Sequence, residues 1–233
     1  DIVTAVSQSL KKDILSSFVV KKDIEVVPNF VDLNLYDMDG PCIKSQIAPN
    51  GEKIISHISN MRPVKRIPDI IEIFNRIQQK EDAILLMIGE GPEREKAEQQ
   101  AKDLGIYSTV KFLGKTSEIP RLLCMSDLFL LTSSTESFGL VALEAMAAKV
   151  PVISSNAGGI SEVNIHGETG FLATIGDVET MAEHSLSLLQ NPQLHEKFKA
   201  NAYRRARQFS TDTVVPQYEA IYERALATIR EGK

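Results

Sequence analysis

Between residues 54 and 154, short apolar runs alternate with longer stretches of helical periodicity, and this alternation constrains the fold more than any single motif. The runs fall at 54–58, 83–88, 110–113, 128–131 and 152–154, and helical patterns occupy 68–79, 92–104, 118–124 and 138–148. Ala83-Ile84-Leu85-Leu86-Met87-Ile88 and Leu128-Phe129-Leu130-Leu131 contain no polar alternation, so strands of this kind must be covered on both faces. Such strands, separated by helices, build a parallel sheet held between two helical layers. The expected fold class is therefore α/β, with a doubly wound, Rossmann-like parallel sheet.

The flanks follow other patterns. Ile2 to Val6 reads as a buried strand and Ser7 as the cap of a helix running to Phe18. A chain that opens on a strand with no lead-in, at Asp1 rather than Met, reads as a piece of a longer protein. Residues 1–27 hold this strand and helix and the apolar run that follows, and 28–51, with Gly40, Pro41 and Pro49, are expected to form a linker and irregular segment. The sheet domain is expected over 52–209. Asp177 should cap a helix to Gln190, Pro192 should open another to Phe209, and a third should span 211–229 with a kink at Pro216. Three successive helices exceed what a crossover needs, so at least one, the terminal segment 210–233, is expected to pack outside the sheet domain.

Composition removes several function classes. A net charge of −5 argues against a nucleic-acid footprint, which needs clustered excess Lys and Arg. The longest apolar helical stretch, 139–150, is interrupted by Glu144 and Lys149 and is too short to span a bilayer. Cys42 and Cys124 stand far apart and form no CxxC, which speaks against a disulfide framework and a thiolate zinc site. Cys124 reads as core packing, and the cysteine usage points to a reducing, cytoplasmic setting. A homo-oligomer remains open.

In an open parallel sheet, ligands bind outside the carboxyl ends of the strands, so the loops after the apolar runs carry the chemical signals. After 54–58 comes Ser59-Asn60-Met61-Arg62-Pro63-Val64-Lys65-Arg66. Its three cations, stiffened by proline, either form a solvated surface or bind a diphosphate, with Arg as a planar fork and Lys as a point charge. After 128–131 comes Thr132-Ser133-Ser134-Thr135-Glu136-Ser137-Phe138-Gly139, leading into a helix. Ser137 is expected to cap that helix, leaving the N–H groups of Phe138, Gly139 and Leu140 facing an anion, which Gly139 would let approach closely. Glu144 lies on this almost wholly apolar helix. A buried carboxylate needs a donor, supplied either by the protein or by ligand hydroxyls. Glu136 would reach the same mouth, or else lie solvated in its loop. Gly89-Glu90-Gly91, Gly114-Lys115 and Gly158-Gly159 also follow strands, and they fit either backbone contact with a base or tight turns. His57, inside a strand, reads as a satisfied core residue, and His166, His184 and His195 show neither triad nor metal spacing.

The sequence resembles glycosyltransferase family 4, a group with the GT-B fold. The specific match is Glu136-Ser137-Phe138-Gly139-Leu140-Val141-Ala142-Leu143-Glu144, the paired glutamates of that family. Supporting matches run in the family's order: Val27-Pro28-Asn29-Phe30-Val31-Asp32, Phe112-Leu113-Gly114, Gly158-Gly159-Ile160-Ser161-Glu162 and Gly167-Glu168-Thr169-Gly170-Phe171-Leu172. The resemblance implies a UDP-sugar donor, with Glu144 on the ribose hydroxyls and Glu136 on the transferred sugar. It places the diphosphate on Arg62, Lys65 and the amides of Phe138 to Leu140, with Ser137 beside them, Asn60 as a further contact, and the uracil on backbone near Gly114 and Lys115. It also implies retention of anomeric configuration without a metal, so the Asp37-Met38-Asp39 spacing is discounted as a metal site. The acceptor site, a Gly-rich loop and a catalytic-site histidine would belong to an N-terminal domain absent from these 233 residues, of which 1–27 would be the trailing strand and helix and toward which 210–233 would return. The 59–66 loop and the 29–36 segment look most like a bacillithiol-pathway branch that transfers N-acetylglucosamine to L-malate. Alternatives are a family member with another acceptor, a sugar-nucleotide epimerase, a non-catalytic nucleotide-sugar binding module and, last for want of a full GxGxxG, a dinucleotide-dependent oxidoreductase.

Overall fold

The computed structural model describes residues 2–37 and 42–231. Its centre is a six-stranded, all-parallel sheet built from β3 (Lys53–Ile58), β4 (Ala83–Ile88), β5 (Val110–Gly114), β6 (Leu128–Leu131), β7 (Val152–Ser155) and β8 (Gly170–Ala173). They lie in the order β5-β4-β3-β6-β7-β8. The chain builds outward from β3 to β5, returns to the other side of β3, and builds outward again to β8. Strand order therefore reverses between β3 and β6, where a doubly wound sheet opens its ligand crevice.

The double apolar face of each strand is realised as two cores. Ile54, Ile58, Ile84, Leu86, Ile88, Phe129 and Leu131 point to one side. Ile55, Leu85, Met87, Leu128 and Leu130 point to the other, as the two-residue period of a strand requires. The first face packs on α5 (Leu140–Ala147) and α7 (Pro192–Arg207), through Leu143, Met146, Ala202 and Ala206. The second packs on α2 (Ile67–Gln78), α3 (Arg94–Asp103) and α6 (Val178–Leu189), through Ile70, Phe74, Ala97 and Leu186. Each fully buried Ile, Leu or Phe contributes roughly 1.5–3 kcal/mol. The remaining helix of this unit, α4 (Ile119–Met125), joins β5 to β6.

Two elements differ from expectation. β8 was not legible as a strand, because its four residues follow Gly167 and begin at Gly170, a turn-like composition. The strand needs that glycine: a Cβ at Gly170 would stand 1.8 Å from the Val152 carbonyl oxygen. The cysteines correct the reading of Cys124 as core packing and the expectation against a disulfide framework. Cys42 and Cys124 are bonded, with Cα atoms 5.8 Å apart across 82 residues of sequence. Nearby, Lys44 pairs with Asp127 at 2.6 Å and the Arg121 guanidinium donates to the Gln46 side chain at 2.6 Å. Residues 42–48 are thus fastened along α4 and the start of β6, a proximity that linear spacing does not encode.

The first strand, β1 (Val3–Ala5), pairs in parallel with β2 (Ile24–Val26), and α1 (Gln8–Ser17) crosses between them. Ser7 caps α1 by accepting from Leu10 N–H at 2.9 Å. The Glu162 carboxylate accepts from Gln8 and Ser9 N–H at 2.9 and 2.8 Å, so a carboxylate from the sheet domain meets the positive end of α1. The last helix, α8 (Thr211–Glu231), continues on both sides of Pro216 and covers Val27 with Val214 and Ile221. Its Tyr218 hydroxyl donates to the carbonyls of Val27 and Pro28 at 3.2 and 3.3 Å. α8 therefore packs on the β1–β2 unit. No helix among the described residues is long and apolar enough to cross a membrane.

Candidate active site

The two loops singled out in the sequence follow β3 and β6, the strands on either side of the reversal. Ladder pairing between them stops at Ser56 and Phe129, leaving their carboxyl ends unpaired at the crevice.

The loop after β3 makes two sharp bends at bulky residues: Met61 with φ 40° and Arg66 with φ 50°. Left-handed backbone is costly for such side chains, so the surroundings must hold it. Thr132 donates through Oγ1 to the Lys65 carbonyl at 2.8 Å, Ser134 N–H to the Val64 carbonyl at 2.9 Å, and Glu93 N–H to the Met61 carbonyl at 3.0 Å. Arg66 turns away to pair with Asp69 at 2.6 Å. Of the three cations, this leaves Arg62, which is exposed, and Lys65, which is half-buried, with Asn60 exposed in the same loop.

Lys65 and Glu136 meet across the reversal, Nζ to Oε1 at 2.5 Å, and both side chains are largely buried. The Ser133 hydroxyl donates to the same carboxylate oxygen at 2.8 Å. Glu136 is therefore a held residue and not a solvated loop carboxylate. Ser133 went unassigned in the sequence, although its place at the end of an apolar strand was the available signal.

The expected cap at Ser137 is corrected. Gly139 occupies the N-cap position of α5, with φ 93°, and no side chain caps the helix. Exposed Ser137 instead presents its carbonyl to the Ser7 hydroxyl at 2.6 Å. With α5 starting at Leu140, the open N–H groups belong to its first turn, and Phe138 is buried edge-on against Phe209.

Glu144, one turn further along α5, is half-buried and has no hydrogen-bond donor among the described residues; burial pushes its carboxyl above the usual range. Tyr36 lies close enough that burial, assisted by the Glu144 charge, pushes its phenol up. Of the two donors open to Glu144 on sequence grounds, protein or ligand, the described residues supply none.

Of the two roles considered for the glycines, the tight turn is seen at Gly89, Gly114 and Gly158, with φ 112°, 68° and 58°, and close packing adds a further one. A Cβ at Gly89 or Gly91 would stand 1.9 Å from the Ser59 or Asn60 carbonyl oxygen, and one at Gly158 or Gly159 would stand 2.2 or 2.3 Å from that of Glu136 or Ser137. They let neighbouring loops press directly against the two site loops. Gly114, with φ 68°, accepts from Gly89 N–H at 2.8 Å, and exposed Lys115 follows it at the end of β5. His57 is fully buried and bonded at both ring nitrogens. Asp39 lies outside the described residues, and among those described no group of three His, Cys, Asp or Glu side chains is placed to hold a metal.

Residues 42–205 match the family model of the group 1 glycosyl transferases, and the chain belongs to that family. Along its whole length it is 43% identical to N-acetyl-alpha-D-glucosaminyl L-malate synthase of Bacillus anthracis, of which it covers 62%. Over 84% of the chain it is 28% identical to 2-deoxystreptamine N-acetyl-D-glucosaminyltransferase of Niallia circulans, covering 52% of that protein. Among solved structures, Anabaena HepE in complex with UDP and glucose superposes with a TM-score of 0.87 at 27% identity, over 95% of this chain and 63% of that one. The chain thus spans between half and two thirds of these relatives.

Proposed function

We propose that this chain is the donor-binding half of a retaining glycosyltransferase that moves N-acetylglucosamine from UDP-N-acetylglucosamine to L-malate. The observation that carries the proposal is the Lys65–Glu136 pair, set across the reversal point in the loops that bear the family's motif. The malate synthase likeness supports the donor sugar and the acceptor.

In this reading Arg62, Lys65 and the first-turn amides of α5 bind the diphosphate. Glu144 takes the ribose hydroxyls as its missing donors, Glu136 the hydroxyls of the sugar, and backbone near Gly114 and Lys115 the uracil. The acceptor hydroxyl attacks the anomeric carbon on the face the diphosphate leaves. The bond from that carbon to the β-phosphate oxygen breaks with its electron pair on UDP, and a phosphate oxygen takes the acceptor's proton. Lys65 and Arg62 stabilise the charge that grows on the leaving group, which is where a fixed cation lowers a barrier most. No metal enters the scheme.

L-Malate is assigned to the part of the relatives that this chain does not span. That part would continue the β1–β2 pair and meet α1, whose end exposes Phe18 and Val19. Calorimetric titration with UDP, using ADP and NAD as controls, tests the donor site. Selective UDP binding is expected, and its absence from the folded chain overturns the placement. Restoring the N-terminal half should then give transfer to L-malate, whereas robust transfer by this chain unaided would overturn the division of labour.

A further inference from the structure

His57 sits in β3 where a doubly apolar strand would carry another Ile or Val, and its ring lies parallel to that of Phe129. Its bonds settle its tautomer. The Leu130 carbonyl can only accept, so Nδ1 carries the proton and donates at 2.9 Å. Nε2 is then an acceptor, and the Ser59 hydroxyl donates to it at 2.8 Å. With its proton committed, the Ser59 oxygen accepts from Met61 N–H at 3.1 Å. Leu130 lies just past the last β3–β6 pairing, so the ring spans the two strands where the sheet opens.

The end of this chain of bonds is Met61, the residue with the first left-handed bend of the anion-facing loop, whose side chain is fully buried. Arg62 follows immediately and Lys65 three residues later. We propose that His57 is a positioning residue: through Ser59 it fixes the bend at Met61 and thereby sets where Arg62 and Lys65 meet a diphosphate. The role rests on the donor reading given above and adds to it a residue with no access to substrate. Because burial holds the ring's pKa down to about 4, it stays neutral, with Nε2 free to accept, near neutral pH.

The test compares UDP with UMP, because the loop's cations are meant for the second phosphate. In Ser59→Ala the ratio of UMP to UDP dissociation constants should fall by about tenfold, with UMP binding little changed. Ser59→Thr, which keeps the hydroxyl, should restore the ratio. His57→Phe, which keeps a ring against Phe129 but neither bond, should match Ser59→Ala, and the double variant should be no worse than either alone. An unchanged ratio in folded Ser59→Ala overturns the positioning role while leaving the donor site standing. Failure of the unaltered chain to bind UDP overturns the donor reading and this role together. Should His57→Phe not fold, the Ser59→Ala and Ser59→Thr pair decides alone.

Discussion

The loops after β3 and β6 face each other across one crevice and are shaped by opposite means. The β6 loop bends at a glycine, Gly139, and leaves its outer side free for Gly158 and Gly159 to press against Glu136 and Ser137. The β3 loop bends at Met61 and Arg66, residues that disfavour such backbone, and is held by hydroxyls and amides reaching in from Ser59, Thr132, Ser134 and Glu93. Glycines press on the carbonyls of both loops, but the β6 loop makes its own bend at a glycine, whereas the β3 loop bends at residues with side chains and depends on bonds to hold it there. The first should fail when an atom is added, and the second when a bond is removed.

The largest effect should come from adding an atom. Gly158→Ala places a Cβ 2.2 Å from the Glu136 carbonyl at a residue with φ 58°, so backbone must move. A loss of about 3 kcal/mol or more in denaturant melts is expected, together with loss of UDP binding. Gly51→Ala supplies the control: φ is 88° there too, but no atom lies within 4 Å, and only about 1 kcal/mol should be lost.

Removing the charge of the bonded loop comes next. In the proposed enzyme, with its N-terminal half restored, Lys65→Ala should lower kcat by roughly 100-fold with a smaller change in KM, and an unchanged kcat would remove Lys65 from the leaving-group role. Acid should then tell the loops apart. The folded pKa of His57 is lowered to about 4 from 6.5, so between these values the unfolded chain takes up a proton that the folded one refuses. Its contribution is full above pH 6.5 and is lost as pH falls through 4, about 3 kcal/mol in all. Hydrogen exchange followed from pH 7 to pH 4 should accordingly deprotect residues 59–66 before 132–139.

The smallest effect is also the most diagnostic. Glu144→Gln should weaken UDP binding by about tenfold, while the ligand-free chain melts no earlier, because folding already disfavours the Glu144 charge and no protein bond is lost. Equal UDP affinity would return Glu144 to a structural role.

The same contrast explains how much was legible in the sequence. The five expected strands appear within a residue or two, because apolar runs covered on both faces leave few registers that bury them. Lys65 and Glu136 were legible because strand ends in such sheets are where ligands bind. The cap at Gly139 was misread as Ser137, since both residue types start helices and only the backbone angles separate them. The bends at Met61 and Arg66, the chain of bonds through His57 and Ser59, and the Cys42–Cys124 bond all depend on partners brought near by the fold, which no local pattern records.

The ion pair across the crevice has one more consequence. A cation that already has a counter-charge is no open trap for anions. On the donor reading proposed above, entry of a diphosphate would be an exchange of partners, in which Lys65 leaves Glu136 and the freed carboxylate needs hydroxyl donors of its own. Inorganic phosphate would fill only one side of that exchange, whereas a nucleotide joined to a sugar would fill both. Selectivity among the crowded anions of a cell would then be set before any base is read, by the requirement that the incoming molecule bring its own replacement.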